Sequence, residues 1–378
     1  MAHTIIVNKC TAILGVILLA TIGSGYRLSK AETKCNDLAD CQTCTQTGGC
    51  GWCLRNDVCY KIGDKSHGGC KDETLWTNSN NCSNTFRPKF DEKKSLFLLD
   101  FAAAAYSDYP QGCLDAKHSD FDLVALLTVK ADFLKNEIFS FVAHSESRRE
   151  VVISVRGTDT TSELVLEILE DIHPSADYPL GGHVDSYFLD ATTKLYPKLI
   201  ESLTPLFTSN EIDHIYLTGH SLGGAMASLL ALELRVNNFV PNDQLSLYTF
   251  GQPRVGDSKF SAIHDNYVWD SWRVVHYRDI VPHIPFCFGW SSCGEYSQFG
   301  FHHGVEVFYE NLDMTPQMAG GQPYRICLGA PVDEDNTCSN KLISDHSCTW
   351  DLGECIDYHD HYYNIEVSDY GIRNCTSN

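Results

Sequence analysis

The spacing of apolar residues divides the chain into three parts. Residues 11–22 form an almost unbroken apolar run, whereas residues 35–82 contain almost no aliphatic side chains. From residue 90 onward, apolar positions recur with the periods of helices and strands. The first run is shorter than the ~18–20 residues that a membrane span requires. The pattern therefore predicts one folded domain over residues 90–378 and a separate small module before it.

Strand-like and helix-like segments alternate within residues 90–378. The apolar spacing predicts helices at 91–107, at 185–207 and after Ser221. Runs of β-branched and aromatic residues predict strands at 138–144, 151–155, 215–218, 245–250, 273–277 and 305–309. The first two strands flank a polar turn and indicate a hairpin. This alternation is typical of an α/β domain with a mostly parallel central sheet.

The N-terminus is typical of a secretory signal peptide. Residues 1–25 combine a basic residue, an apolar run and small residues at a cleavage site. An uncleaved signal anchor is the alternative. Cleavage would remove Cys10 and leave an even 16 of the 17 cysteines, which predicts disulfides in an exported chain. Sequons at Asn81 and Asn374 agree with export, although each has a cysteine in its middle position.

The charge balance limits the classes of partner. The chain has 28 basic and 49 acidic residues, a formal net charge of −21. Nucleic acids and anionic lipid surfaces both attract basic proteins, so neither fits as an electrostatic partner. Any contact with lipid must then be hydrophobic. No cluster of ligand residues points to a metal or another cofactor.

Eight cysteines lie in residues 35–82, a segment too small and polar to be held by a core of its own. Cys41/Cys44 and Cys50/Cys53 have the form of zinc-binding pairs. The five residues between the pairs are far fewer than the ~15–20 usual in such sites, so disulfides are predicted. The cysteine order and the string CGWC resemble the plexin–semaphorin–integrin (PSI) module, a small extracellular interaction unit. Many pairings are possible, and the connectivity stays open.

The segment around Ser221 carries the main chemical hypothesis. Gly219 and Gly223 flank the serine, the predicted strand 215–218 precedes it, and a helix-forming segment follows. This is the context of a nucleophile elbow, a strand-to-helix turn that exposes a serine hydroxyl. An ordinary glycine-rich turn is the alternative, because the short pattern alone is common.

A nucleophilic serine needs a histidine base that is oriented by a carboxylate, and in α/β-hydrolases both follow the serine in the chain. Asp279 follows a predicted strand and fits the carboxylate. Asp257 fits a turn better, and Asp265 lies in a helical pattern. Six histidines follow Asp279: His283, His302, His303, His346, His359 and His361. Spacing favours the last two as the base and does not separate them.

Several strings together resemble the class 3 lipase family, of the triacylglycerol lipase type. These strings are VRGT at 155–158, TGHSLGG at 218–224, TFGQPRVG at 249–256, residues 273–285 and HGVE at 303–306. The resemblance runs over about residues 90–375. It implies an α/β-hydrolase fold, hydrolysis of carboxylic esters, Ser221 as nucleophile and Asp279 as orienting acid. The family's base lies in an Asp-His-aromatic context, which favours His361 over His359.

The resemblance also implies how the oxyanion and the substrate are bound. One oxyanion donor is the N–H of Leu222, at a helix N-terminus, and the resemblance adds Thr158 as the second. The family's lid corresponds to residues 162–172, whose polar face is acidic. Its apolar face consists of Leu164, Val165, Ile168, Leu169 and Ile172. Such a lid favours long-chain lipid esters; a helix packed on the core is the alternative.

The family often joins the ends of its domain, which implies a Cys113–Cys375 disulfide here. Local pairs would then use the remaining cysteines: Cys287–Cys293, Cys327–Cys338 and Cys348–Cys355.

The sequence as a whole predicts a secreted serine hydrolase that cleaves lipid esters, of the triacylglycerol lipase type, at a lipid–water interface and without a cofactor. A phospholipase A1 and a feruloyl or short-chain carboxylesterase are the alternatives within the same chemistry. A catalytically inactive hydrolase-like protein that binds partners through the PSI-like module is the alternative from another class.

Overall fold

The computed structural model describes most of the chain from residue 88 onward and parts of the cysteine-rich segment. The described residues are 34–38, 41–53, 58–62, 75–76, 88–131, 137–157, 175–285, 300–321, 323–330, 333–343 and 352–376. The predicted signal peptide, residues 1–25, lies outside them. Within these described ranges, no helix has both the length and the apolar character that crossing a membrane requires.

The described part of the cysteine-rich segment forms a small sheet with disulfides. Its elements are a 3-10 turn (Cys35–Asp37), α1 (Cys41–Gln46), β1 (Cys50–Cys53), β2 (Val58–Lys61) and β3 (Leu75–Trp76). Strand β1 lies between the other two, and both pairings are antiparallel. Disulfides Cys35–Cys50 and Cys44–Cys59 cross-link these elements, so disulfides rather than zinc hold them. The resemblance to the PSI module stays a prediction.

An eight-stranded sheet forms the centre of the second region. Its strands, in chain order, are β4 (Asp122–Lys130), β5 (Glu137–Ser145), β6 (Glu150–Val155), β9 (His214–His220), β10 (Leu245–Phe250), β11 (Asp270–His276), β12 (Val305–Tyr309) and β13 (Arg325–Ile326). Two short strand pairs lie outside it: β7 (Ser175–Asp177) with β8 (His183–Asp185), and β14 (His361–Tyr362) with β15 (Ile365–Glu366).

The strand order is β13-β12-β11-β10-β9-β6-β5-β4. The five strands from β12 to β6 are mutually parallel, and the strands beyond them pair antiparallel. The predicted parallel sheet and the predicted β5–β6 hairpin are therefore confirmed. Strand β4 was not predicted, because Leu123–Leu127 is a continuous apolar run without a clear period.

Helices cover both faces of the sheet. They are α2 (Glu92–Ala104), α3 (Gln111–Lys117), α4 (Ser186–Thr208), α5 (Leu222–Val236), α6 (Ser258–Tyr267), α7 (Asn340–Ile343), α8 (Leu352–Asp360) and α9 (Val367–Ile372). Aspartates begin three of them. Asp91, Asp185 and Asp257 each accept a hydrogen bond from a backbone N–H of the first turn, a common N-cap arrangement. Asp257 thus has the turn role that its sequence context indicated.

The alternation of side chains along the strands separates two cores. In β10, Leu245 and Leu247 pack with α4, α5 and α6, whereas Tyr248 and Phe250 pack with α2 and α9. Successive side chains of a strand point to opposite faces, so one apolar strand supplies both cores. The result is a three-layer arrangement, the α/β-hydrolase fold that the resemblance implied.

Strand β4 is one edge of this sheet, and α4 partly covers that edge. The ammonium group of Lys194 donates to the carbonyl of Lys130 at 3.0 Å, and that of Lys198 donates to the carbonyl of Thr128 at 2.9 Å. Two backbone acceptors at the end of this strand are therefore bound by side-chain cations.

Two disulfides cross-link the C-terminal part of the chain. Cys113–Cys375 joins α3 to the residues after α9, and Cys327–Cys338 closes a short loop after β13. Both predicted pairs are confirmed. Cys355 is disulfide-bonded, but its predicted partner Cys348 lies outside the described residues, as do Cys287 and Cys293.

Candidate active site

Ser221 lies in a sharp turn between β9 and α5, at the carboxyl edge of the parallel strands. Its backbone has φ 59° and ψ −133°, a conformation that non-glycine residues rarely adopt. The N–H of Ser221 donates to the carbonyl of Phe250 at 2.8 Å, which ties the turn to the end of β10. The strained turn that the sequence predicted is therefore present.

The flanking glycines are required by close backbone contacts. A Cβ on Gly219 would collide with the backbone of Gly223, and a Cβ on Gly223 would collide with the carbonyl oxygen of Val155 in β6. The turn from residue 219 to residue 223, termed here the serine elbow, is thus packed against the neighbouring strand by its backbone. Any side chain at these two positions would move Ser221.

Asp279 follows β11 on the same edge of the sheet and is fully buried. Its Oδ1 accepts the backbone N–H of Val281 at 2.9 Å, and its Oδ2 accepts the hydroxyl of Tyr362 at 2.6 Å. Both hydrogen bonds hold the carboxylate in one orientation. Asp279 was predicted from the sequence, whereas its partner Tyr362 was not.

His359 occupies the position next to Asp279. Its Nδ1 lies 3.0 Å from each carboxylate oxygen, and the ring is 1% exposed. A carboxylate accepts, so Nδ1 carries the proton and Nε2 keeps a free lone pair. Gly251 makes room for this pair, since a Cβ there would lie 2.8 Å from both His359 Nδ1 and Asp279 Oδ2.

The structure corrects the choice of His361. Its Nδ1 lies 2.8 Å from the carbonyl of Asp357, its ring is 39% exposed, and Asp279 is not among its hydrogen-bond partners. Residues 352–362, termed here the His359 segment, bury Cys355, Tyr358, His359 and Tyr362. These residues follow the i, i+3, i+4, i+7 spacing of one helix face. That stripe was the signal that could have selected His359 from the sequence.

Burial and charge act in opposite directions on this pair. Burial alone would raise the pKa of Asp279, but attraction to His359 and the hydrogen bonds hold that pKa below its usual range. Burial alone would lower the pKa of His359, but Asp279 raises it above the ordinary histidine value. The surroundings therefore keep Asp279 ionised and make His359 a stronger base.

A second buried histidine lies beside the first. The ring of His220 stacks on that of His359, with 4.6 Å between centroids. His220 Nε2 donates to the carbonyl of His359 at 2.8 Å, and Nδ1 accepts the Tyr106 hydroxyl at 2.9 Å. Burial first, and then the nearby His359, lower the pKa of His220 to about 3, so it is neutral. Neither His220 nor Tyr106 was predicted from the sequence as a member of the site.

Two buried polar atoms of the site make no hydrogen bond to the described residues. Among the described residues, Ser221 Oγ and His359 Nε2 are both buried and have no hydrogen-bond partner. Both atoms are therefore available to bond to each other or to a substrate. Catalytic hydrogen bonds are also often long before substrate binds.

The structure describes part of the region where the sequence predicted oxyanion donors. Leu222 begins α5, and the first N–H groups of a helix have no partner inside it. Gly157, at the end of β6, packs on the elbow, since its Cβ would lie 3.2 Å from Ser221 Cβ. Thr158 lies outside the described residues. The predicted lid residues, Leu164, Val165, Ile168, Leu169 and Ile172, also lie outside them.

A strained serine at the carboxyl edge of a parallel sheet, with a buried carboxylate–histidine pair on the same edge, defines a serine hydrolase of the α/β-hydrolase fold. Known proteins agree with this class. A family model described as Lipase (class 3) matches residues 152–289. The chain is 32% identical over 307 residues to Lipase ZK262.3 of Caenorhabditis elegans, covering 76% of this chain and 83% of that protein.

Further relatives extend the comparison. The secreted mono- and diacylglycerol lipase 1 of Fusarium solani is 31% identical over 256 residues, or 66% of this chain and 67% of that protein. The crystal structure of the lipase from Rhizopus microsporus var. chinensis superposes with a TM-score of 0.58 and 25% identity, covering 73% of this chain and 88% of that one. The chain therefore belongs to the class 3 lipase family.

Proposed function

We propose that the protein is a secreted lipase that hydrolyses carboxylic esters of lipids, of the triacylglycerol type, with Ser221, His359 and Asp279 as its catalytic triad. The observation that carries this proposal is the His359–Asp279 pair beside the serine elbow. The pair supplies an oriented base. Among the residues that the structure describes, neither its Nε2 nor the Ser221 hydroxyl has a hydrogen-bond partner.

The acylation step follows from these roles. His359 Nε2 takes the proton of Ser221 Oγ while the oxygen attacks the ester carbonyl and the carbonyl π electrons move to its oxygen. Asp279 stabilises the imidazolium that forms and keeps Nδ1 protonated. The imidazolium then donates its proton to the leaving alcohol as the carbon–oxygen bond breaks. The products are free alcohol and an acyl group on Ser221.

Oxyanion stabilisation is assigned to backbone groups. The N–H of Leu222 lies at the positive end of α5 and suits a developing negative charge. Thr158, next to Gly157, is the proposed second donor. Water then loses a proton to His359 and attacks the acyl carbonyl. Ser221 leaves with that proton, and the fatty acid is released.

The substrate assignment rests on composition and relatives. A net charge of −21 disfavours electrostatic binding to anionic lipid, so the apolar face of residues 162–172 is the proposed contact with an ester interface. The Fusarium solani relative is named as a mono- and diacylglycerol lipase. Lipid esters therefore fit better than polar esters.

Export is proposed from the signal-like residues 1–25, the disulfides and the relative named as secreted. Disulfides between distant cysteines persist in oxidising compartments, which agrees with secretion. A binding role for the PSI-like module belongs to the same proposal, without an assigned partner.

The test combines labelling with substrate comparison. A serine-directed phosphonate is expected to modify wild-type protein at Ser221 and to leave Ser221→Ala unlabelled. p-Nitrophenyl esters of increasing chain length and emulsified triacylglycerol then define the substrate, with and without an interface. Long-chain esters at an interface should be hydrolysed fastest.

The same experiment can contradict each part separately. Absence of an adduct on Ser221 would refute the enzyme mechanism. A preference for short or aromatic acyl groups would replace the lipase assignment by an esterase. Faster release of fatty acid from phosphatidylcholine than from triacylglycerol would replace it by a phospholipase.

A further inference from the structure

The His359 segment bears the proposed base close to a helix end. Helix α8 ends at Asp360, one residue after His359, and β14 begins at His361. The last carbonyls of a helix have no N–H partner inside it and need other donors. The groups that bind these carbonyls therefore hold the backbone from which the His359 ring reaches Asp279.

Two buried histidines supply those donors from two different strands. His220 Nε2 donates to the carbonyl of His359 at 2.8 Å. His276 Nδ1 lies 2.6 Å from the carbonyl of His361 and 3.2 Å from that of Tyr358. The backbone is thus held at the base residue itself and on both sides of it.

The positions of the two histidines in the chain connect the segment to the other catalytic residues. His220 directly precedes Ser221. His276 is three residues before Asp279, and the N–H of Asp279 donates to the carbonyl of His276 at 2.8 Å, closing a tight turn. Tyr277, inside this turn, has a φ of 37°. The backbone that positions Ser221 therefore also positions His220, and the turn that positions Asp279 also positions His276. Each histidine is a donor to the His359 segment.

The protonation states suit donation. The carbonyl of His359 can only accept, so the neutral His220 carries its proton on Nε2, and its Nδ1 accepts from the Tyr106 hydroxyl. For His276, carbonyl oxygens face both nitrogens, with Leu312 O 3.1 Å from Nε2, an arrangement that favours a charged ring. Burial opposes the charge more strongly and lowers the pKa of His276. The neutral ring donates from one nitrogen, and the shortest contact identifies it as Nδ1.

We propose that His220 and His276 are positioning residues, which hold the backbone of the His359 segment so that the His359 ring stays between Asp279 and Ser221. This inference rests on the proposed role of His359 as the base. Neither histidine exchanges a proton with substrate. Their effect reaches the reaction through the direction of the His359 ring, and small misplacements of catalytic groups can cost about 10²-fold in rate.

The test uses substitutions that keep or remove the donating nitrogen. His276→Asn retains a donor near Nδ1, and His220→Gln retains one near Nε2. His276→Leu and His220→Leu remove the donors. His264→Leu is the matched control, because His264 is fully buried and its nitrogens have no hydrogen-bond partner among the described residues.

Hydrolysis of p-nitrophenyl butyrate gives kcat and KM for each variant, with the concentration of active sites determined by phosphonate titration. The thermal midpoint of unfolding is measured on the same samples. The leucine variants should lose roughly 10- to 100-fold in kcat with KM changed by less than about threefold, since the substrate contacts remain. The Asn and Gln variants should recover most of the lost kcat. His264→Leu should change the thermal midpoint but not kcat per site.

A second measurement does not depend on turnover. The proton between His359 Nδ1 and Asp279 should give a far-downfield resonance in ¹⁵N-histidine-labelled wild-type protein, and the leucine variants should shift or broaden it. Unchanged kcat per site and an unchanged resonance in those variants would overturn the inference while wild-type labelling at Ser221 still supports the triad. Absence of wild-type labelling and turnover would refute the proposed function instead, and the resonance would still decide the positioning role.

Discussion

The serine elbow and the His359 segment contribute to one site but are specified in different ways. In the elbow, Gly219 and Gly223 are fixed by backbone contacts within a few residues and with the adjacent β6. The His359 segment is fixed by contacts from residues eighty or more positions away, including Asp279, His276 and His220. Local steric rules can be recognised in a short string, whereas long-range contacts cannot.

The largest expected loss of kcat distinguishes His359 from the neighbouring His361. His359→Gln should lower kcat by on the order of 10⁵-fold or more, because the triad loses its base. His361→Gln, the matched control, should stay within about twofold of wild type, since its ring is partly exposed and bonds to Asp357. The measurement is hydrolysis of p-nitrophenyl butyrate per folded protein. The reverse pattern would show that His361 is the base.

Asp279→Asn is expected to lower kcat by on the order of 10⁴-fold, since the amide no longer fixes the His359 tautomer. The pH profile gives a second readout. His359 works as a base only when neutral, and Asp279 raises its pKa, so kcat/KM should fall on the acid side at a pH above the ordinary histidine value.

In Asp279→Asn, burial of His359 is no longer opposed by a negative charge. The acid limb of kcat/KM should therefore move to lower pH while the maximum falls. An acid limb that stays in place would mean that another group controls it.

Gly223→Ala tests whether the close backbone packing of the serine elbow positions Ser221. The new methyl group would collide with the carbonyl oxygen of Val155. We expect about 1–3 kcal/mol of lost stability and roughly 10²-fold lower kcat, because Ser221 must move with the turn. Gly48→Ala is the control, since no atom of the described residues other than its chain neighbours lies within 4 Å of the added Cβ. Wild-type kcat in Gly223→Ala would show that the turn tolerates displacement.

The smallest effect on catalysis is expected from the disulfides. Replacing Cys113 and Cys375 by alanine opens a loop with a sequence separation of 262 and should cost about 2–5 kcal/mol of stability. Replacing Cys327 and Cys338, with a separation of 11, should cost less. Chemical denaturation gives both values. Turnover per titrated site should not change in either double variant. A large loss would mean that the position of His359 depends on the disulfide that was removed.

The sequence predicted the features that depend on periodicity or on local geometry. The parallel strands, the hairpin, the elbow and Asp279 at the end of a strand all follow from patterns a few residues long. His361 was preferred because Asp360 and Tyr362 flank it, a local context that is misleading here. Helix α8 turns His359 inward and β14 turns Tyr362 inward, which leaves His361 facing out. The apolar stripe of the segment contains that information.

Other members of the site could not be predicted from neighbouring residues. Tyr106 lies just beyond α2 and reaches His220, 114 positions later. Tyr362 reaches Asp279 across 83 positions. Each is an ordinary buried aromatic residue in its own segment. Its role appears only when the sheet brings the strand ends together.

Two lysines of α4 that bind the outer strand affect how copies of this molecule can associate. Strand β4 is an edge strand of the sheet, and its side chains Val124 and Leu126 are exposed. Another chain can add a strand at such an apolar edge. Lys194 and Lys198 bind carbonyls that such a chain would need, and an incoming strand would have to displace both ammonium groups. Binding of these two carbonyls opposes strand addition at the end of β4 that contains Thr128 and Lys130.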